Sequence, residues 1–160
     1  MTRRAPLLAG WLGALLSAGA AAHPAPNSLL KLEFGADSVQ AEYWVPVSEL
    51  AYARAAEPNG TEAAYLMRHL SAETPQGTAW KIAIGPLREE TYLDHAYLVA
   101  RLTLAPPAGA STRHFVLIDD TVTHEVRNHI VYVVTQGADG MDLLGMLQYP
   151  LRRLSIEGPG

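Results

Sequence analysis

Alternating hydrophobic and polar residues run through most of the chain from residue 30 to residue 156, a period typical of β-strands with one buried face. Gly, Pro and Asp residues interrupt this pattern at intervals of about ten residues, which is the spacing of turns in an all-β domain. The candidate strands are residues 30–34, 39–45, 80–84, 88–93, 98–104, 115–118, 130–135, 143–149 and 151–156. The first two strands are separated by Gly35-Ala36-Asp37 and are expected to pair as a hairpin.

Two short segments depart from the strand period and predict helices. Ser48 is a candidate cap for a helix that ends near Ala56. After the break at Pro58-Asn59-Gly60, apolar residues recur at helical spacing over Thr61 to Leu70. The fold class that we expect is therefore mostly β, an antiparallel immunoglobulin-like β-sandwich with a short helical insertion.

The first 22 residues have the pattern of a secretory signal peptide. Arg3 and Arg4 precede an apolar run over residues 7–20, and Ala20-Ala21-Ala22 supplies the small residues of a cleavage site. The run is shorter than the roughly 20 apolar residues that a membrane-spanning helix needs. We expect residues 1–22 to be removed and residues 23–160 to form one exported domain, periplasmic or otherwise extracytoplasmic.

Charge and cysteine content exclude several classes of function. The chain has 16 acidic and 12 basic residues, and it becomes more acidic once Arg3 and Arg4 are removed. An acidic surface of this kind argues against nucleic acid as a partner. The chain has no cysteine, so disulfides, thiolate metal sites and cysteine nucleophiles are all excluded.

Three segments carry a resemblance to a known family. They are His23-Pro24-Ala25-Pro26-Asn27-Ser28, the strand at residues 97–104, and the run from Phe115 to Asp120 that leads into His124-Glu125-Val126-Arg127-Asn128-His129. Together they resemble the exported N-terminal region of HupE/UreJ-type membrane proteins, over essentially the whole of residues 23–156. The resemblance implies a part in the uptake or handling of nickel and related metals.

In that family the exported region is followed by a bundle of membrane helices. The present sequence ends at Gly160 and contains no such bundle. The resemblance therefore implies the extracytoplasmic module of such a protein, or a stand-alone or truncated relative. Its expected partner is a membrane protein or a set of membrane helices, and the sequence does not determine its oligomeric state.

Histidine supplies the candidate metal ligands, because neutral imidazole is a common ligand of nickel, copper and zinc. If cleavage follows Ala22, His23 offers both its amine and its imidazole. His124 and His129 are five residues apart, a spacing that brings them together only on a turn. The hypothesis is a divalent-metal site formed by His23, His124 and His129, with Asp120, Glu125 or Asn128 as orienting partners.

A structural role for these histidines stays open beside the metal site. One of His124 and His129 would then end a strand and hydrogen-bond to Glu125 or to a backbone carbonyl. His69, His95 and His114 receive no role from the sequence.

The sequence favours a non-enzymatic domain that captures or delivers a divalent metal near a membrane. One alternative is a metal-free protein–protein interaction module that contacts a membrane partner. Another, with no substrate-site motif to support it, is an oxidase that holds copper through an N-terminal histidine. No G-x-S-x-G motif or Gly-rich phosphate loop is present.

Overall fold

A computed structural model describes residues 26–159, and it is mostly β with two short helices. The predicted signal peptide and His23 lie outside the described residues. The elements are β1 Ser28–Phe34, β2 Val39–Pro46, α1 Val47–Arg54, α2 Glu62–His69, β3 Leu70–Glu73, β4 Lys81–Tyr92, β5 His95–Ala105, β6 His114–Asp119, β7 Ile130–Gln136, β8 Met141–Gln148 and β9 Arg153–Glu157. Among these residues, neither helix has the length and apolar character needed to cross a membrane.

The strands form two sheets. The larger sheet has the order β4-β5-β2-β1-β7-β8, and the smaller has the order β3-β6-β9. The predicted β1–β2 hairpin is confirmed, with Leu30 opposite Tyr43. The larger sheet is mixed and not wholly antiparallel as predicted, because β1 and β7 pair in parallel. Hydrophobic alternation reveals that a strand exists, but it does not identify a neighbour a hundred residues away.

One hydrophobic cluster joins the two sheets. Leu30, Leu32 and Tyr43 of the larger sheet are fully buried, as are Phe115 and Leu117 of the smaller sheet. Each set repeats every second residue, so one face of each strand supplies the cluster. Burial of such a side chain contributes roughly 1.5–3 kcal/mol, and with no cysteine in the chain the fold rests on this packing.

The two helices follow β2, and the prediction of a helical insertion after the second strand is confirmed. Thr61 caps α2, since its hydroxyl accepts a hydrogen bond from the backbone N–H of Ala64. Tyr65 and Leu66 turn inward from α2 and are buried in the core. The prediction that Ser48 caps α1 is wrong, because α1 follows Pro46 directly and has no side-chain cap.

Two predicted boundaries also change. Residues 70–73, expected as the end of a helix and a loop, form strand β3, which begins directly after α2. The two strands predicted at residues 80–84 and 88–93 are parts of a single long strand, β4 (Lys81–Tyr92), with a register shift between Ile84 and Leu87. Pro86 lies in this irregularity, where a residue without an N–H is tolerated.

Candidate metal centre

Two histidines and a glutamate converge at one end of the smaller sheet. Glu57 lies in the turn after α1, His69 ends α2, and His124 lies in the turn segment between β6 and β7. One ligand atom from each of the three lies within 4.8 Å of the other two. No other group of three such residues within residues 26–159 meets this condition.

Strand pairing explains why His69 reaches this place. Leu70 at the start of β3 lies opposite Asp119 at the end of β6. Because α2 runs into β3 without a loop, His69 comes next to Asp120, whose backbone N–H donates to the His69 carbonyl at 3.1 Å.

A tight turn after β6 then brings His124 back over Asp120. The backbone N–H of Val126 donates to the carbonyl of Val122 at 2.9 Å, and Val122 is fully buried. The hydroxyl of Tyr65 donates to the carbonyl of Thr121 at 2.8 Å and so fixes the turn to α2. The sequence required a turn here for His124 to meet His129, and a turn is present, but it directs His124 toward His69 and not toward His129.

Asp120 orients both imidazoles. The Nδ1 atom of His69 lies 2.9 Å from Asp120 Oδ1, and the Nδ1 atom of His124 lies 2.6 Å from the Asp120 carbonyl oxygen. Carboxylate and carbonyl oxygens only accept hydrogen bonds, so each Nδ1 carries the proton. This arrangement leaves the Nε2 lone pair of both rings as the ligand, with Asp120 in the orienting position common around protein metal ions.

The two rings are stacked, with centroids 4.5 Å apart and planes inclined by 13°. Two atoms that bind one ion at about 2 Å each lie no more than about 4 Å apart. Three atoms that bind one tetrahedral ion lie only about 3.3 Å from one another. The three ligand atoms, which lie within 4.8 Å of one another, therefore need to close by up to about 1.5 Å, and the rings need to tilt so that both lone pairs meet.

Glu57 completes the cluster from its exposed side. Its Oε1 atom lies 3.2 Å from His69 Nε2, and its Oε2 atom accepts from Arg68 at 3.1 Å. The hydrogen bond from Arg68 lowers the pKa of the Glu57 carboxyl, so it is ionised near neutral pH. His69 Nε2 is buried and makes no hydrogen bond of good geometry, which leaves its lone pair available to an ion.

His129, predicted as a ligand, does not join this cluster. Its ring is 1% exposed, and its Nε2 atom lies 2.8 Å from the hydroxyl of the fully buried Ser28. Burial lowers the pKa of His129 to about 4. The structure therefore brings His124 together with Glu57 and His69 instead of with His129, and His23 lies outside the described residues.

The neighbouring residues Asp119 and Asp120 contact different polar groups. Asp119 is fully buried and accepts hydrogen bonds from the Tyr43 hydroxyl at 2.5 Å and from the Thr121 N–H at 2.8 Å. Burial raises the pKa of both Asp119 and Tyr43. Asp120 points the other way, toward the imidazoles, and Arg152 lies 3.3 Å from its second oxygen.

Sequence reasoning missed His69 and Glu57 as candidate ligands. His69 is the last residue of α2, and its role depends on the β3–β6 pairing. No motif indicated that pairing, because β3 has only four residues, of which Leu70 was predicted as the end of the helix and the other three as a loop. The Asp120 partner of His124, by contrast, was among the orienting residues that the sequence suggested.

Neither a scan against protein-family models nor a search of curated proteins finds a match to this chain. The resemblance to the HupE/UreJ family therefore stays a prediction.

Proposed function

We propose that this protein is an exported, non-enzymatic domain that binds a divalent transition metal through Glu57, His69 and His124. The observation that carries the proposal is the convergence of the three side chains, with both imidazoles held by Asp120. Two nitrogen ligands and one carboxylate oxygen suit nickel, copper or zinc better than calcium or magnesium, which take oxygen ligands.

The proposal favours binding over catalysis. Ser28 and His129 form a serine–histidine pair, but both side chains are buried in the core and closed to a substrate. The metal-binding residues instead reach the surface, since the Glu57 side chain is 41% exposed. Such a site can exchange an ion with its surroundings.

We extend the proposal to the fold family, the signal peptide and the membrane partner that the sequence predicts. We take the two sheets as an immunoglobulin-like sandwich, residues 1–22 as a signal peptide, and the domain as the extracytoplasmic part of a HupE/UreJ-type protein. Its task would be to capture or deliver the metal next to a membrane partner. His23 stays in the proposal as a predicted additional ligand from the processed amino terminus.

Isothermal titration calorimetry tests the site. The processed protein, which begins at His23, is titrated with nickel, copper and zinc in turn. We expect one ion per chain, and His69→Gln and His124→Gln should each weaken binding by at least about 100-fold. Loss of a ligand costs more than loss of an orienting partner, which is worth about 10- to 100-fold. His95→Gln is the matched control, because His95 lies at the start of β5, away from the cluster.

Circular dichroism of each variant separates loss of a ligand from loss of the fold. Unchanged affinity in the folded His69→Gln and His124→Gln variants would reject the site. A variant with one extra residue before His23 tests the amino terminus separately. The extra residue removes the free amine of His23, so this variant should bind metal more weakly only if that amine is a ligand.

A metal-free interaction module is the second candidate, and the outer face of the larger sheet favours it. Leu29 lies directly between Trp44 and Tyr132 on neighbouring strands, and all three are half-buried on the face opposite the core. Aromatic side chains in such a row are typical of contact surfaces. A correctly folded protein that binds none of the three metals would support this function.

A further inference from the structure

The free edge of the larger sheet carries a concentration of exposed apolar side chains. Strand β8 is the last strand of that sheet and pairs along its length only with β7. At its end Gln148 is bridged to Leu151, and Leu154 of β9 packs against Gly145. Five of the nine large hydrophobic residues that are exposed within residues 26–159 lie in β8 or directly after it. They are Met141, Leu143, Met146, Tyr149 and Leu151, each between 46% and 65% exposed.

The opposite edge of the sheet is protected against pairing with another chain, and the β8 edge is much less protected. Strand β4 at that edge contains Lys81, Arg88, Glu89 and Glu90, together with the irregularity at Pro86. Charges, proline and bulges are the usual means of preventing an edge strand from pairing with another chain. Strand β8 has one charged residue, Asp142, and a single register shift near Leu144.

Charge is distributed along β8 in a self-complementary way. Asp139 and Asp142 lie at its beginning, and Arg127 lies at its end, with its guanidinium 4.6 Å from the centre of the Tyr149 ring. None of the three has an ion-pair partner within the described part of the chain. An antiparallel pair of β8 strands would place the acidic end of each strand next to the basic end of the other.

We propose that β8 is a self-association edge, at which a second copy of this chain pairs antiparallel across a two-fold axis. The outward-facing backbone N–H and C=O groups between Met141 and Leu147 supply the hydrogen bonds, and Leu143 and Met146 of one copy cover Met146 and Leu143 of the other. A two-fold axis makes this contact closed and self-complementary, so it yields a dimer and not a fibre. The contact joins two six-stranded sheets into one.

Sedimentation velocity over a wide range of concentrations measures this association in the processed protein. All elements of the fold lie between Ser28 and Glu157, so removal of residues 1–22 leaves the described structure intact. We expect a monomer–dimer equilibrium that Met146→Lys shifts toward the monomer by about tenfold or more, because the dimer would then cover each new lysine charge with apolar side chains of the other copy. Leu93→Lys, at an exposed leucine in the β4–β5 turn, should leave the equilibrium unchanged.

A charge exchange distinguishes antiparallel pairing from general adhesion of apolar surfaces. Asp142→Arg and Arg127→Glu should each weaken the dimer, and the double variant should restore it. The proposal would be overturned if the protein were monomeric at every concentration, or if Met146→Lys did not weaken the dimer. If the double variant did not regain the affinity of the parent dimer, the antiparallel arrangement would be rejected.

Cross-linking gives an independent test because the chain has no cysteine. The antiparallel arrangement that brings the acidic end of each β8 next to the basic end of the other is centred between Leu144 and Gly145, so Leu143 of one copy lies opposite Met146 of the other. Side chains directly opposite each other have a Cβ separation of about 4.5–5.5 Å, which lies close to the range of a disulfide. A chain that carries both Leu143→Cys and Met146→Cys should therefore form covalent dimers on mild oxidation, whereas Leu93→Cys chains should not. Equal cross-linking of the two proteins would indicate random collision and reject the interface.

Discussion

The imidazole rings of His69 and His124 lie parallel, with their centroids 4.5 Å apart and their planes inclined by 13°. Both rings are held through Nδ1 by Asp120, one by its carboxylate and the other by its carbonyl. Parallel rings direct their Nε2 lone pairs side by side, whereas a shared ion lies near the plane of each ring. Metal binding should therefore open the stack while both bonds to Asp120 remain.

Removal of the Asp120 carboxylate should weaken metal binding by about 10- to 100-fold, because an orienting partner typically contributes that much. Competition titration against a coloured chelator measures the change in Asp120→Ala. Asp120→Asn should retain more affinity, since its amide oxygen still accepts from His69 Nδ1. Asp142→Ala, at an exposed carboxylate in β8, is the control, and equal affinity of Asp120→Ala and the parent would exclude the orienting role.

Loss of the Arg68 charge should strengthen metal binding severalfold. Arg68 holds one oxygen of Glu57 at 3.1 Å, so its positive charge repels an incoming dication and competes for the carboxylate. The measurement is the same competition titration on Arg68→Gln. Arg153→Gln is the matched variant, because Arg153 pairs with Glu73 instead. Weaker binding in Arg68→Gln would show that Arg68 positions Glu57 and does not compete with the ion.

Tyr43→Phe should lower the free energy of unfolding by roughly 1–3 kcal/mol, the usual cost of leaving a buried hydrogen-bonding group without its partner. The Tyr43 hydroxyl donates to Asp119, and both side chains are fully buried. Urea unfolding measures the loss, with the exposed Tyr52→Phe as the control. If Tyr43→Phe were as stable as the parent, the buried hydrogen bond would contribute nothing net to the fold.

Acid should destabilise the protein through His129. Burial lowers the pKa of His129 to about 4, whereas an unfolded chain titrates near pH 6.5. Below about pH 6.5 the unfolded state therefore binds a proton that the folded state does not, so stability falls as the pH falls toward 4. The contribution of this group is roughly 2–3 kcal/mol between neutral pH and about pH 4.5.

The difference in urea stability between the parent and His129→Gln isolates this effect. Asp119 also has a shifted pKa, but it is present in both proteins and its contribution cancels in the comparison. We expect the stability of the parent to fall more steeply with acid than that of the variant. Parallel pH profiles would show that His129 is not buried as a neutral ring.

Local patterns in the sequence predicted most of the strands, the two helices and the first hairpin. Leu30, Leu32 and Tyr43 alternate with polar neighbours, and this period follows from a half-buried strand. The parallel pairing of β1 with β7 was not predicted, because it joins residues about a hundred positions apart. Strand β3 was missed because its first residue, Leu70, continues the helical spacing of α2 and only three further residues follow it in the strand.

The candidate site shows the same limit. His124 and Asp120 lie within one turn and could be associated from the sequence. His69 and Glu57 come from the helical insertion, and only the pairing of Leu70 with Asp119 brings them to that turn. His129 looked equivalent to His124, but its position after the turn sends its ring into the core beside Ser28.

Anomalous diffraction from crystals of the processed protein grown with zinc or nickel tests the central claim most directly. We expect a single strong peak at about 2.0–2.1 Å from the Nε2 atoms of both His69 and His124, with a Glu57 oxygen as a further ligand and the ring stack opened. A protein without an ordered ion at saturating metal, or with the ion at His95 or His114 instead, would contradict the account.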